Sequence, residues 1–282
     1  MSLLVLTSSS VAGQNLALSA TRSSPLDLEV AGNIPGVPAG SPRFITRKEL
    51  LALPQVSYTV SDDANFSGPT PVSGVDLAEL SRRLGVRGDD EMVIAICSDK
   101  YRANYPAAYI AAHHPLLVLE IDGKGPAQWP KDSETHTMEI GPYLISHPKF
   151  TPGFKIPSAE DEAQIPWGVV RLDFRSEKQV FAAIAPRGPR AGDAAVQAGF
   201  QIAGQNCFRC HNSGREGGEK AGVSWAVLAT LAAAAPENFM AYIRNPKTKD
   251  PDAQMPGNPN YDDATLQALT AYFQTFSKRP NR

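Results

Sequence analysis

Cys207-Phe208-Arg209-Cys210-His211 sets two thiols with two residues between them and an imidazole directly after the second. Thiols at that spacing can add to the two vinyl groups of one haem, and the adjoining imidazole is then held under the iron. The stretch therefore reads as a covalent attachment site for one haem c, with Cys207 and Cys210 as thioether residues and His211 as proximal ligand. Two other chemistries use paired cysteines. A structural zinc needs four ligands, and the chain's three cysteines and five histidines offer no second pair nearby. A thioredoxin-type pair follows a strand, whereas here a helical pattern runs into Cys207.

A closed iron site needs a second axial ligand. Met255-Pro256 stands in a loop just before the last predicted helix, and a thioether opposite an imidazole raises the reduction potential and suits electron transfer. Met240 is the rival, within a predicted helix beside Phe239, Tyr242 and Ile243, where packing is the simpler role. An open or histidine-ligated iron is the remaining alternative. The other reactive side chains offer less. Cys97 ends an apolar run and reads as a small core residue. His113 and His114 adjoin Pro115 at a turn, and His136 and His147 stand in polar loops, where they read as surface or loop-stabilising residues. The acids at 62–63, 89–91 and 160–162 read as solvated turns or helix starts. No carboxylate pair, Ser-His-Asp set or nucleophile elbow is present, so no catalytic residue is assigned. Gly-rich residues 213–218 lack phosphate-loop spacing and read as a surface loop.

These side chains need elements to position them. Ala185 to Asp193 carries two prolines and two glycines without apolar periodicity, which marks a linker. Three helices are predicted beyond it. The first runs from Ala194 to Asn206, with Asp193 as N-cap and Val196, Phe200 and Ala203 on one face. The second starts at Pro236-Glu237 and stops at Asn245-Pro246. The third starts at Asp262-Asp263 and carries Leu266, Leu269, Tyr272 and Phe273. Before the linker the grammar is mixed. A Thr46-capped turn precedes a strand at Val56 to Val60, and an amphipathic helix is predicted from Gly74 to Gly85. Buried strands are predicted at Met92 to Ile96 and Leu116 to Ile121, with Asp122-Gly123 as a hairpin-type turn after the second. The expected organisation is a leader or disordered tail over 1–26, an α+β domain over 27–185, a linker over 186–192 and an all-α domain over 193–282.

The C-terminal residues resemble class I cytochromes c over 193–278. The resemblance rests on Gly199-Phe200 in the entry helix, the CFRCH stretch, Met255-Pro256 and Leu269-Thr270-Ala271-Tyr272-Phe273, in that order. It implies one-electron transfer to or from a partner protein, with the haem edge near Cys207 and Cys210 as electron port. Arg209, Arg215, Lys220 and Lys247 are candidates to orient that partner, although solvated surface charge is the default for each. Because covalent haem attachment in bacteria is completed outside the cytoplasm, the resemblance also implies a periplasmic protein.

Residues 27–185 resemble the molybdopterin-binding domain of sulfite-oxidase-type enzymes. The resemblance rests on the Gly74-Val75-Asp76-Leu77-Ala78-Glu79-Leu80 segment, Asp99-Lys100-Tyr101 followed by Pro106, and Leu117 to Gly123. The family binds molybdenum through a cysteine upstream of the first segment, and residues 55–75 contain none. Cys97 does not match that position. The departure argues against a molybdopterin cofactor and for a docking or structural domain. A molybdopterin-dependent, sulfite-dehydrogenase-like enzyme with haem c as in-chain acceptor is the alternative.

The 282 residues suffice for two cores, and 42% hydrophobic with 20% charged residues is ordinary globular composition. A formal net charge of −2 gives no reason to expect nucleic acid as partner. The longest apolar run, Ala226 to Ala235 broken by Thr230, is too short to span a bilayer. Leu3-Leu4-Val5-Leu6 has the look of the end of a signal peptide but lacks a basic region before it.

Overall fold

A computed structural model describes residues 16–61, 63, 65–131, 139–148 and 164–277. The chain first lays down β1 (Leu28–Gly32), β2 (Arg43–Ile45), α1 (Arg47–Leu51), β3 (Val56–Val60), β4 (Thr70–Asp76) and α2 (Leu77–Arg83). Then follow β5 (Glu91–Cys97), β6 (Arg102–Pro106), α3 (Ala107–His113), β7 (Leu116–Ile121), β8 (Tyr143–Ser146), β9 (Trp167–Ser176) and α4 (Glu177–Ala182). These strands form one nine-stranded mixed sheet. Its spine is β9, parallel to β1 and antiparallel to β5 and β8. The rest of the described chain is mostly helical: α5 (Ala194–Gln205), a small hairpin of β10 (Asn212–Ser213) and β11 (Glu216–Gly217), α6 (Trp225–Ala234), α7 (Pro236–Arg244) and α8 (Asp263–Gln274). The α+β part followed by a helical part is the predicted fold class.

Strand β5 explains how the two parts meet. Successive strand side chains point to opposite faces, and a strand covered on both faces loses its polar alternation. Val93, Ala95 and Cys97 face the sheet's own core with Leu28, Val30, Leu172 and Phe174. Met92 and Ile94 face the other way, into a cluster shared with Val196, Phe208, Trp225, Leu269 and Phe273 of the helical part. Val180 and Ile184, at and just beyond α4, join that same cluster. The sheet thus supplies part of the wall of the helical core.

Local signals hold in several places. Thr46 and Glu49 form a reciprocal capping box on α1. Asp122 (φ 51°) and Gly123 (φ 68°) both take left-handed conformations, as a two-residue hairpin turn requires. The helix expected from Gly74 begins instead at Leu77. Residues 74–76 pair with β7, burying Val75 completely, and Asp76 caps α2 through Ala78 N–H. Asp193 precedes α5 as expected, but its carboxylate accepts from Arg190 Nε at 2.9 Å rather than from a helix amide.

Helices α5, α7 and α8 stand where the sequence puts them, and α6 is additional. Its residues are uncharged and, Thr230 apart, apolar on every side, so no 3.6-residue stripe marks it. Asp262 caps α8 by accepting from Thr265 N–H at 2.8 Å. Helices α5 and α8 cross at Gly199, where a Cβ would overlap the Ala268 carbonyl oxygen. Among the described residues no helix is long and apolar enough to cross a membrane.

Candidate haem site

The end of α5 runs directly into a tight turn at Cys207–Arg209. Cys210 and His211 both donate their amides to the Cys207 carbonyl, at 3.2 and 2.9 Å. One turn is thereby closed, and residues three and four apart lie on one side of it. That geometry brings Cys207, Cys210 and His211 together. Phe208 anchors the turn: it is fully buried, with its ring 5.4 Å from that of Trp225 and 6.3 Å from that of Phe181.

The imidazole of His211 is buried, and its Nδ1 lies 2.7 Å from the Val223 carbonyl oxygen. A carbonyl only accepts, so Nδ1 carries the proton and Nε2 keeps its lone pair. Burial lowers the His211 pKa, although the Val223 bond opposes the shift. The result is a neutral imidazole, the form that ligates a metal. Burial also pushes the Cys207 thiol up to about 12, with Cys210 adding to the shift, and raises that of Cys210. Both groups are held as S–H, the form that adds across a vinyl group.

The glycine-rich segment is a hairpin pressed on this turn rather than a free surface loop. Gly218 donates to the Phe208 carbonyl at 2.9 Å, and Ala221 donates to that of Cys210 at 3.1 Å. A Cβ at Gly218 would overlap the Arg209 carbonyl, so the approach needs glycine. Cys207, Met240 and Met255 all border the apolar cluster of the helical part, half-buried. Met240 is on α7 and Met255 in the loop before α8, so the structure brings both methionines to that cluster. Asn206 Nδ2 donates to the Tyr261 hydroxyl, tying the residue before Cys207 to the same loop. Two S–H groups, a neutral imidazole with an open Nε2 and an aromatic-rich apolar cluster fit haem c. Cys207, Cys210 and His211 are the residues that would hold it.

The sheet reaches this turn directly. Lys220 Nζ pairs with Asp99 Oδ2 at 2.7 Å, and Arg209 donates to the Tyr101 hydroxyl at 3.3 Å. Arg175 pairs with Glu216 at 2.7 Å, and Gln164 Nε2 donates to Gln205 Oε1 at 2.6 Å in a buried contact. Two of the four cations expected to orient a partner, Arg209 and Lys220, are thus engaged by this chain itself. Sequence reading singled out Asp99 and Tyr101 only for a family resemblance and passed over Val223, because nothing local marks a residue as the partner of a distant one.

The remaining candidates lie elsewhere. Cys97 is buried at the end of β5, as expected, with its thiol pKa raised by burial. His113, expected at a turn, is the last residue of α3, and its ring packs 4.5 Å from that of Tyr109. His114 is exposed, 3.7 Å from Asp76. His147, expected near the surface, is buried with Nε2 3.0 Å from the Tyr109 hydroxyl. Asp63, expected in a solvated turn, is buried and accepts from Ser146 at 2.7 Å. Asn65 N–H also donates to it. His136 and the acids at 160–162 fall outside the described residues. Among the described residues no three His, Cys, Asp or Glu side chains gather as a metal-ion site.

Residues 194–273 match the family model described as cytochrome c oxidase, cbb3-type, subunit III. The helical part is therefore a c-type cytochrome domain, which implies haem c and electron transfer with a redox partner. No curated protein matches the chain. Among solved structures, the sulfane dehydrogenase SoxCD from Paracoccus pantotrophus is similar at 15% identity and a TM-score of 0.36. That match covers 61% of this chain and 45% of the other, so the chain spans less than half the length of that relative.

Proposed function

We propose that the protein is an exported, periplasmic carrier of single electrons, with one haem c in the helical part and the sheet as a docking or structural partner without its own cofactor. Cys207 and Cys210 bind the haem, His211 is the proximal ligand and Met255 the distal one. The helical unit spans 193–282, the sheet-built unit 27–185, and 186–192 joins them. The observation that carries this reading is the single closed turn that carries both thiols and a neutral imidazole, with His211 Nδ1 fixed by Val223.

The bound haem supplies an iron that alternates between two oxidation states. The chain's own work is to hold it. Val223 keeps the proton of His211 on Nδ1, and the apolar cluster around Phe208, Trp225 and Phe273 excludes water. A haem that took His211 and Met255 as its ligands would favour electron transfer over binding of small molecules. Met255 is preferred to Met240 because it stands in the loop before α8, whereas Met240 is part of α7 and packs with it.

The test is spectroscopic. The weak red absorption band of ferric methionine-ligated haem is expected in the native protein and absent from Met255→Ala. Its persistence in that variant, with loss in Met240→Ala, would move the ligand to Met240. A metal inventory after production in a host that makes molybdopterin is expected to give one iron and no molybdenum per chain. Stoichiometric molybdenum would instead establish the two-centre enzyme.

A further inference from the structure

The turn that carries the thiols is gripped from one side by the junction of β5 and β6. Lys100 there has φ 70°, a left-handed conformation that side chains rarely adopt, and Asp99 Oδ1 fixes the turn by accepting from Tyr101 N–H at 3.0 Å. The Lys100 carbonyl accepts from Glu219 N–H at 3.1 Å. Next along the chain, Lys220 Nζ pairs with Asp99 at 2.7 Å and sits 5.7 Å from the centre of the Tyr101 ring. Arg209 donates through Nε to the Gln205 carbonyl and through a second nitrogen to the Tyr101 hydroxyl. Arg209 adjoins Cys210 in the chain, and Lys220 precedes Ala221, whose amide is bonded to the Cys210 carbonyl. Two cations are therefore tied down beside Cys210 by two residues of the β5–β6 turn.

We infer that the Cys97–Arg102 turn is a potential-setting cap on the haem-attachment site. Asp99 and Tyr101 act as positioning residues that fix the charges of Lys220 and Arg209 beside the Cys210 edge. The inference rests on haem being bound at Cys207 and Cys210. It replaces the expected electron port at that edge with a covered, charged wall, so that a partner docks elsewhere.

The sign follows from electrostatics. Reduction adds a negative charge to the haem, so a nearby fixed cation favours the reduced form and a nearby carboxylate disfavours it. Lys220 and Asp99 offset one another. Asp99→Asn leaves Lys220 uncompensated and raises the midpoint potential. Lys220→Met leaves Asp99 and lowers it. The double variant Asp99→Asn/Lys220→Met returns close to the native value. Tyr101→Phe removes one of the contacts that position Arg209 and lowers the potential by a smaller amount.

Spectroelectrochemical titration of the full haem-loaded chain tests this, at low salt and again near half-molar salt, where screening shrinks the shifts of the single variants. A haemochrome spectrum taken first establishes covalent haem. Tyr101→Phe loses one hydroxyl only and serves if the charge variants fail to fold. Covalent haem with unmoved potentials, or shifts of the opposite sign, would overturn the cap and leave the carrier reading standing. A native chain without covalent haem would overturn both.

Discussion

His147 shows what burial does to a single side chain. It lies at the end of β8 with 1% of its surface exposed, and burial lowers its pKa to about 3, with His113 contributing. The unfolded chain keeps the ordinary value of 6.5. Below that pH the unfolded state binds a proton that the folded state refuses. The stability present above the unfolded value is therefore lost as pH falls from about 6.5 toward 3. A shift of this size is worth on the order of a few kcal/mol. Urea midpoints are expected to fall between pH 7 and 4.5 in the native chain and to fall less in His147→Gln. Equal slopes in both would assign the acid sensitivity to other groups. Tyr272 makes a second case, donating to the Ile184 carbonyl at 2.5 Å and accepting from Trp225 Nε1 at 3.2 Å. Tyr272→Phe strands both buried partners and is expected to cost about 1–3 kcal/mol in a thermal or urea melt. Neither environment was legible in the sequence. CFRCH was, because its chemistry is contiguous, whereas the partners of His147 and Tyr272 lie far along the chain and only the fold brings them close.

At the scale of elements, the crossing of α5 and α8 depends on having no side chain at Gly199. Intrinsic propensity alone would make Gly199→Ala stabilising by about 1 kcal/mol. The new methyl would meet the Ala268 carbonyl and the Tyr272 Cβ, and overpacking of that kind costs about 1–3 kcal/mol. The contact outweighs the propensity, so a lower melting temperature and weaker haem retention are expected. A rise in melting temperature would show that the helices separate without penalty. Helices with one apolar stripe and a clear stop, such as α7 and α8, could be read from the sequence. The same rule passed over α6, whose faces do not differ. It also misplaced the start of α2, because Gly74 and Val75 suit either structure and pairing with β7 decides between them. Local pattern finds elements whose faces differ; it fails where long-range pairing sets the boundary.

At the scale of the molecule, the proline- and glycine-rich stretch near residue 190 suggests two units that fold apart, and the packing opposes this. Met92 and Ile94 are 1% and 2% exposed inside the cluster that also holds Phe208 and Trp225. Arg187 lies over the Phe276 ring, and its amide donates to Thr275, so the linker itself is laid on the end of α8. Unfolding the helical part alone would expose one face of β5, and unfolding the sheet alone would remove a wall of the haem cluster. Soret absorbance, which reports the helical part, and amide exchange along β1 and β9, which reports the sheet, are therefore expected to change at one denaturant midpoint. Ile94→Ala belongs to the sheet by sequence but leaves its cavity in the helical core. It is expected to cost about 2–5 kcal/mol and to lower both signals together. Two separate midpoints, with Ile94→Ala moving only the sheet signal, would mean that the shared face contributes little. Coincident loss would mean that the haem environment exists only while the sheet is folded, which is the condition the Asp99–Tyr101 turn needs in order to act on it.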